Sequence, residues 1–412
     1  MPDGRKKGSR QGLPDDEQFL ILIIQTTYGA HGGIPTYNRT ACHALAQWNG
    51  TIDTIEKRVL LVMDRPADVS EAAASLPGLS IEAFSGNRLA FVRRAFAIAL
   101  THQIDLLLIG HVNYAPLGAI LKRLRPKLRY GVFAYGVDVW DKLTKVRAYS
   151  LRQADFVVSI SEYTKQILIG TNGVSADNIR LAPPSLEEDL EIESEPNSPI
   201  EQVANADNAS PQITLLSVCR LELSERYKGV DKVIEALPTV LAQYPQVQYF
   251  VIGSGSDLDR HKKLAQEKGV AEAVHFLGPV DDETLQNHYQ KCDVFVMCSA
   301  REGFGIVYLE AMRYAKPVIA ANSGGAPEVV KDRETGLLVE YGDVNQTAAA
   351  IAALCSDAAL RKKLGDAGRK RLEDNYTFAH FKQTLNEIIL AELPPRVVSQ
   401  EQTSVGLADD TF

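Results

Sequence analysis

The sequence predicts an α/β protein of two Rossmann-like, doubly wound parallel-sheet domains facing each other across a cleft. Three observations carry that reading. Short apolar runs alternate with amphipathic stretches along nearly the whole chain, the pattern of repeated strand–helix–strand units. One acidic, proline-bearing stretch interrupts the alternation near the middle and leaves halves of similar size. At 412 residues, 45% apolar and 23% charged, the chain is long enough to bury two cores and too apolar to be disordered throughout.

Residues 1–18 read as a disordered leader: they are polar and contain no apolar segment of signal-peptide type. The first strand is expected over residues 19–25, FLILIIQ, continuous in Ile and Leu as in a sheet buried on both faces. Gly29, Gly32 and Gly33 follow as a flexible turn, and a helix is expected from Thr36 to Trp48. A glycine-rich strand-to-helix turn suits a phosphate contact, but the spacing is not that of the dinucleotide fingerprint. Further strands are expected over residues 58–64, 80–85, 104–112, 128–136 and 155–161, with helices including 88–102 and 117–124. In such sheets ligands bind beyond the carboxyl ends of the strands. His111, Asn113, Gly136, Asp138 and Ser161 therefore fall on the working rim of a first domain spanning 19–184.

Residues 185–211 hold eight carboxylates, three prolines and no Lys or Arg, and read as an acidic linker. A second series spans 212–375, with strands expected over 213–221, 247–253, 273–277, 292–299, 317–321 and 336–339. Its helices are expected over 230–243, 257–268, 282–291 and 305–314. Residues 376–392 read as a last helix packing back on the first domain, and 393–412 as a flexible tail.

Composition narrows the function classes. Five cysteines without a Cys-x-x-Cys pair argue against a disulfide framework or zinc ribbon and fit a reducing, cytoplasmic setting. No apolar run reaches the ~18 residues a membrane span needs. The net charge of −8 makes nucleic acid an unsuited partner, yet it divides unevenly. Residues 1–185 carry 22 Lys+Arg against 16 Asp+Glu, and the rest 22 against 36, so the halves stand at +6 and −14. A basic first half, with Lys122–Arg129 (KRLRPKLR) and the Arg93–Arg94 pair, predicts peripheral docking on an anionic cytoplasmic membrane face, against the plainer reading of a solvated basic face.

The chemistry gathers in residues 301–315, REGFGIVYLEAMRYA, which follow the apolar run CDVFVMCS. Glu302 closes the strand, Gly303 and Gly305 bracket a helix start, and Glu310 lies five residues further on. At ~1.5 Å rise per residue those five steps cover about 7–8 Å. One ligand can then meet a carboxylate, the free N–H groups of a helix mouth and a second carboxylate, a layout that matches a sugar nucleotide. This stretch resembles the Glu-x7-Glu motif of retaining glycosyltransferase family 4, the glycosyl transferases group 1, and the resemblance extends over residues 19–390, most closely to polysaccharide-assembly members.

The resemblance implies the GT-B fold, with the donor held by the second domain and the acceptor by the first. It makes Arg220 and Lys228 the basic pair that holds the donor diphosphate and offsets charge on the leaving group. It places Glu302 on the donor sugar, the N–H groups of Gly303, Phe304, Gly305 and Ile306 on sugar and phosphate, and Glu310 on the ribose. Gly32, Gly33, Gly253 and Val280 join the donor site, His111 stands beside the sugar, and Asp138 marks the acceptor edge. The SGGAPE stretch, 323–328, matches a family pattern by the cleft, with a plain turn as the alternative for Glu328. APPSLEED departs from the family's Pro-Asn-Gly-Val-Asp at the interdomain crossing.

The expected activity is transfer of a hexose, with retention, from GDP-mannose or a UDP-hexose to a hydroxyl of a glycan or lipid-linked acceptor in polysaccharide or glycoconjugate synthesis. No cofactor is expected beyond the nucleotide-sugar co-substrate. The resemblance implies that the basic pair takes the place of a metal. The alternatives are a GT-B sugar-nucleotide epimerase or phosphorylase and a non-catalytic nucleotide-binding homologue.

Overall fold

The computed structural model describes residues 18–30, 32–48, 55–188 and 212–394. The leader, residues 189–211 of the linker, and the tail from 395 lie outside the described residues. The first sheet holds seven strands: β1 (Gln18–Ile24), β2 (Ile55–Leu61), β3 (Leu79–Ala83), β4 (Leu106–Ile109), β5 (Arg129–Ala134), β6 (Phe156–Ser159) and β7 (Ile179–Leu181). The second holds six: β8 (Ile213–Val218), β9 (Val247–Ile252), β10 (Val274–Gly278), β11 (Val294–Met297), β12 (Val318–Ala321) and β13 (Gly336–Val339). Every ladder between these strands is parallel.

The sheet orders are β3-β2-β1-β4-β5-β6-β7 and β10-β9-β8-β11-β12-β13. Each starts at its centre and reverses direction once, between β1 and β4 in the first and between β8 and β11 in the second. A crevice opens at such a switch point because the loops leaving the two strands turn to opposite faces. Four loops therefore define the working edges, those after β1, β4, β8 and β11. The pattern reading misses β7, whose three residues carry too short a signal to register.

Helices cover both faces because the central strands are apolar on both sides; β4, β6, β11 and β12 are buried at every position. The last helix, Phe378–Glu392, leaves the second domain and lies on the helix Gly33–Ala46 of the first, with Phe381 edge-on to Tyr37 at 5.1 Å. Its terminal Glu392, 2% exposed, bonds both Arg129 at the start of β5 and Arg180 within β7.

Two expectations change. The start of the linker is not loose: Leu186 is buried and Glu187 bonds Arg39 at 2.6 Å, so residues 185–188 belong to the packed first domain. The KRLRPKLR stretch is partly spent internally, with Arg123 and Lys127 left exposed. Lys122 bonds Asp155 at 2.6 Å, Arg125 bonds the Ala99 carbonyl, Arg129 bonds Glu392, and nearby Arg94 grips Glu82 with two bonds. Charge counting does not see these partners because they arrive from other strands and helices.

Candidate active site

In the second domain, the loop after β8 ends in a short 3-10 turn, Leu223–Lys228, closed by Gly229 in the left-handed region at φ 79°. A Cβ on Gly229 would stand 2.1 Å from the Cys298 carbonyl oxygen, so only glycine lets this loop lie against the end of β11. That approach delivers Lys228 to Glu302: Nζ donates to Oε2 at 2.9 Å, with the side chains 20% and 14% exposed. Burial opposes the Lys228 ammonium, but the Glu302 charge and hydrogen bond outweigh it and hold its pKa above the usual lysine value. An ammonium has three donors, and Glu302 takes one of them. Arg220 lines the same recess as Lys228, is mostly exposed, and is ion-paired with Glu225. Arg226 bonds the buried Asp257 at 3.1 Å.

After Glu302 the chain turns through Gly303 and Phe304 to Gly305, the residue before the helix Ile306–Arg313. No side chain caps this helix, so its first N–H groups stay open. Phe304 gives its side chain to the core, edge-on to Tyr376 at 5.3 Å, and only its backbone remains at the helix mouth. Glu310 accepts a 2.5 Å hydrogen bond from the hydroxyl of buried Tyr289. Burial pushes the Glu310 carboxyl up, the Tyr289 bond pulls it back, and the negative charge of Glu187 adds to the rise. The N–H of Gly253, after β9, donates to the Gly278 carbonyl at 2.9 Å, which holds the ends of β9 and β10 together. Val280, two residues past β10, packs half-buried on the same core as Tyr289 and Phe304.

In the first domain, Asp64 follows β2 and takes the N–H groups of Thr27, Tyr28 and Gly29 at 2.6–3.1 Å. These are the amides a phosphate-binding turn would present, so the anion-contact reading fails for the front of the loop. It remains for Gly32 and Gly33. Gly32 has φ 128° and precedes a helix that begins at Gly33, three residues earlier than the pattern suggests. A Cβ on Gly33 would lie 3.9 Å from Ile306 Cδ1, so the loop after β1 faces the helix mouth of the other domain.

His111 follows β4 with Nδ1 accepting from the Asn113 N–H at 3.1 Å. Burial, with Arg147 adding to it, lowers its pKa to about 4, so the ring is neutral at pH 7. Asp138 accepts from the Tyr135 N–H at 3.0 Å, and its other oxygen is buried without a partner. Burial raises its pKa to about 7 against backbone bonds that lower it. Asp138 thus shapes the turn after β5 from inside. Ser161 is likewise spent, capping the helix Glu162–Asn172 through a bond from the Thr164 N–H at 3.1 Å.

At Gly136 and Gly303 the halves meet backbone to backbone. A Cβ on Gly136 would lie 2.9 Å from Gly303 Cα, and one on Gly303 would lie 2.5 Å from the Tyr135 carbonyl oxygen. Tyr135 thereby joins three predicted residues: its N–H meets Asp138, its ring lies 6.5 Å from that of His111, and its carbonyl faces Gly303. Alongside, Arg301 bonds Asp141 at 3.0 Å across the cleft and sits 5.7 Å over the Trp140 ring. Glu328 is no plain turn residue. Its two oxygens accept from the Glu162 and Tyr163 N–H groups at 2.8 and 2.7 Å, capping a first-domain helix from the second domain.

Sequence reasoning misses Tyr135, Tyr289, Asp64 and the Arg301–Asp141 pair. Asp64 had a readable signal, an acid closing an apolar strand beside a glycine turn. Tyr289 had none, since its partner lies twenty-one positions away on another helix.

Two family models match the chain: Glycosyltransferase Family 4 over residues 31–190 and Glycosyl transferases group 1 over 201–371. Among curated proteins, the chain is 33% identical over 280 residues to a GDP-mannose-dependent alpha-(1-6)-phosphatidylinositol monomannoside mannosyltransferase of Mycobacterium tuberculosis (strain CDC 1551 / Oshkosh), covering 65% of this chain and 71% of the relative. Against the mannosyltransferase of the same description from Mycolicibacterium smegmatis it is 32% identical, covering 70% and 77%. Among solved structures, Anabaena HepE in complex with UDP-glucose superposes with a TM-score of 0.73 at 19% identity, over 91% of this chain and all of that one. The lipopolysaccharide outer core galactosyltransferase WaaB superposes at 0.67 and 20% identity, over 91% and 100%.

Proposed function

The chain belongs to glycosyltransferase family 4, and from that premise we propose that it transfers mannose, with retention, from GDP-mannose to a hydroxyl of a lipid-linked glycan of the phosphatidylinositol mannoside class. The mannosyltransferases that it matches over most of their length support the donor and the acceptor. The observation that carries the chemistry is the Lys228–Glu302 pair, set at the mouth of an uncapped helix and opposite Gly33 of the other domain.

The diphosphate lies between the open N–H groups of Gly303–Ile306 and the ammonium of Lys228, with Arg220 closing the outer side. As the glycosidic C–O bond breaks, negative charge grows on the diphosphate, and these donors bind it more strongly than they bind the ground state. Glu302 orients the sugar hydroxyls and holds the lysine in place. Glu310 fixes the ribose. Neutral His111 supplies a hydrogen bond on the sugar's other side. The acceptor hydroxyl attacks from the face the diphosphate leaves, and its proton passes to a diphosphate oxygen, so no carboxylate acts as nucleophile. The cationic pair carries the charge that a divalent ion carries elsewhere, so the reaction runs without one.

The test is a donor panel of GDP-mannose, UDP-glucose and UDP-galactose with a phosphatidylinositol monomannoside acceptor. Nucleotide release and the anomeric NMR signal of the product are followed with and without chelator. GDP release with an α-linked product, unchanged by chelator, is expected. A β-linked product, preference for a UDP-sugar, or loss of activity restored by Mg²⁺ or Mn²⁺ each overturns the corresponding part. Lys228→Ala should lower kcat by at least ~100-fold if its bond strengthens by 3 kcal/mol or so in the transition state.

A further inference from the structure

Within KRLRPKLR, Lys122 and Arg129 are ion-paired and Arg125 is hydrogen-bonded, while Arg123 and Lys127 stay exposed; further free cations lie elsewhere. The helix Lys145–Arg152 and the loop before it carry Lys142, Lys145 and Arg147, none of which forms an ion pair among the described residues. Lys142, Lys145 and Arg152 border a surface recess of about 470 Å³ that has no carboxylate in its wall. The same helix exposes Val146 by 63% and Tyr149 by 57%. The helix Ala115–Leu124, packed beside it, exposes Ile120 by 50% and Leu124 by 56%. Of fourteen large apolar side chains exposed among the described residues, ten belong to the first domain, so the apolar excess and the positive excess coincide.

We propose that the exposed face of the helix Lys145–Arg152, with Ile120 and Leu124 of its neighbour, is a docking surface for an anionic lipid bilayer. Val146 and Tyr149 enter the headgroup–acyl boundary, and an anionic headgroup seats in the recess between Lys142, Lys145 and Arg152. Water charges a cost for exposed Val, Leu and Ile that an interface removes, and lysine stems reach past such side chains to keep their ammonium at headgroup level. The partner's charge follows from the cations: with no carboxylate in the recess wall, and the neighbouring Asp141 paired with Arg301, they are complementary to an anionic lipid surface and not to a zwitterionic one. Arg301–Asp141 ties the loop that leads into this helix to the residue before Glu302, so docking there faces the acceptor side of the cleft toward lipid.

The test is flotation of the full chain with vesicles of phosphatidylcholine alone and of phosphatidylcholine with phosphatidylglycerol. These hold no glycosyl acceptor, so the outcome is separate from the proposed donor and acceptor. Binding to the anionic vesicles only, weakened by salt, is expected. Lys142→Gln/Lys145→Gln should weaken partitioning on the order of 30-fold, at about 1 kcal/mol per cation. Val146→Ser/Tyr149→Ser should weaken it several-fold and make the remainder more salt-sensitive. Lys262→Gln/Lys263→Gln, exposed on the second domain, should leave binding unchanged. Thermal melting and GDP binding confirm that each variant is folded. No binding by the parent chain, equal binding to both vesicles, or parent-like binding by both first-domain variants overturns the proposal; the first of these leaves an acidic protein as the partner of this face.

Discussion

Glu310 shows how much a single side chain owes to its neighbours. Its position in the Glu-x7-Glu spacing suggests a ribose ligand, but a buried carboxylate pays a desolvation penalty and turns freely unless something holds it. Tyr289 does both, satisfying one oxygen at 2.5 Å and leaving the other for the proposed ribose hydroxyl. We expect Tyr289→Phe to raise KM for the donor by roughly tenfold, the worth of one hydrogen bond to a charged group, with kcat nearly unchanged. The sign of the pH effect follows. The Tyr289 bond favours the ionised carboxyl, so its removal lets burial raise the Glu310 pKa further. The acid-side loss of donor affinity should then begin at higher pH. In a Glu310→Gln background the second substitution should change neither KM nor its pH profile. An additive effect in that double variant would leave Tyr289 with a packing role only.

At the scale of elements, the switch points explain why the residues proposed for catalysis occupy the loops they do. Chemistry sits after β1, β4, β8 and β11 because those strands flank the reversal in each sheet. Strand periodicity showed that such sheets exist; which strands lie adjacent is settled by hydrogen bonding between segments distant in sequence. The same limit hid the Glu328 cap. A helix N-terminus leaves N–H groups without partners and attracts negative charge, and Glu328 supplies both needs from the other domain. Glu328→Ala should therefore cost about 1 kcal/mol in denaturant unfolding. It should also enlarge the ligand-free radius of gyration in small-angle scattering, because one tie across the cleft is lost. A stability loss with unchanged scattering would show that the cap serves its helix alone.

Across the whole molecule, closure rests on backbone contact through glycine. Gly303 allows the Tyr135 carbonyl to approach to a distance that any Cβ would block at 2.5 Å. We expect Gly303→Ala to hold the domains apart, lowering transfer by more than ~10-fold through misplacement of about an ångström, while GDP binding to the second domain persists. Measured GDP affinity and transfer rate falling together would mean instead that the substitution disrupts the nucleotide loop itself.

Apolar runs and their spacing were enough to determine two parallel α/β domains, and the likeness of the Glu302–Glu310 stretch to a known motif pointed to the family. Those features are local, and the physics that reads them, burial on two sheet faces and the rise of a helix, is local as well. Tertiary structure alone decided the rest: Asp64 occupying the turn amides, Tyr135 joining His111, Asp138 and Gly303, Glu392 holding two arginines, and Lys122 and Arg129 of KRLRPKLR pairing with internal carboxylates. Each depends on a partner brought from a distant part of the chain, and a charge or a carbonyl acquires its role only when folding selects that partner.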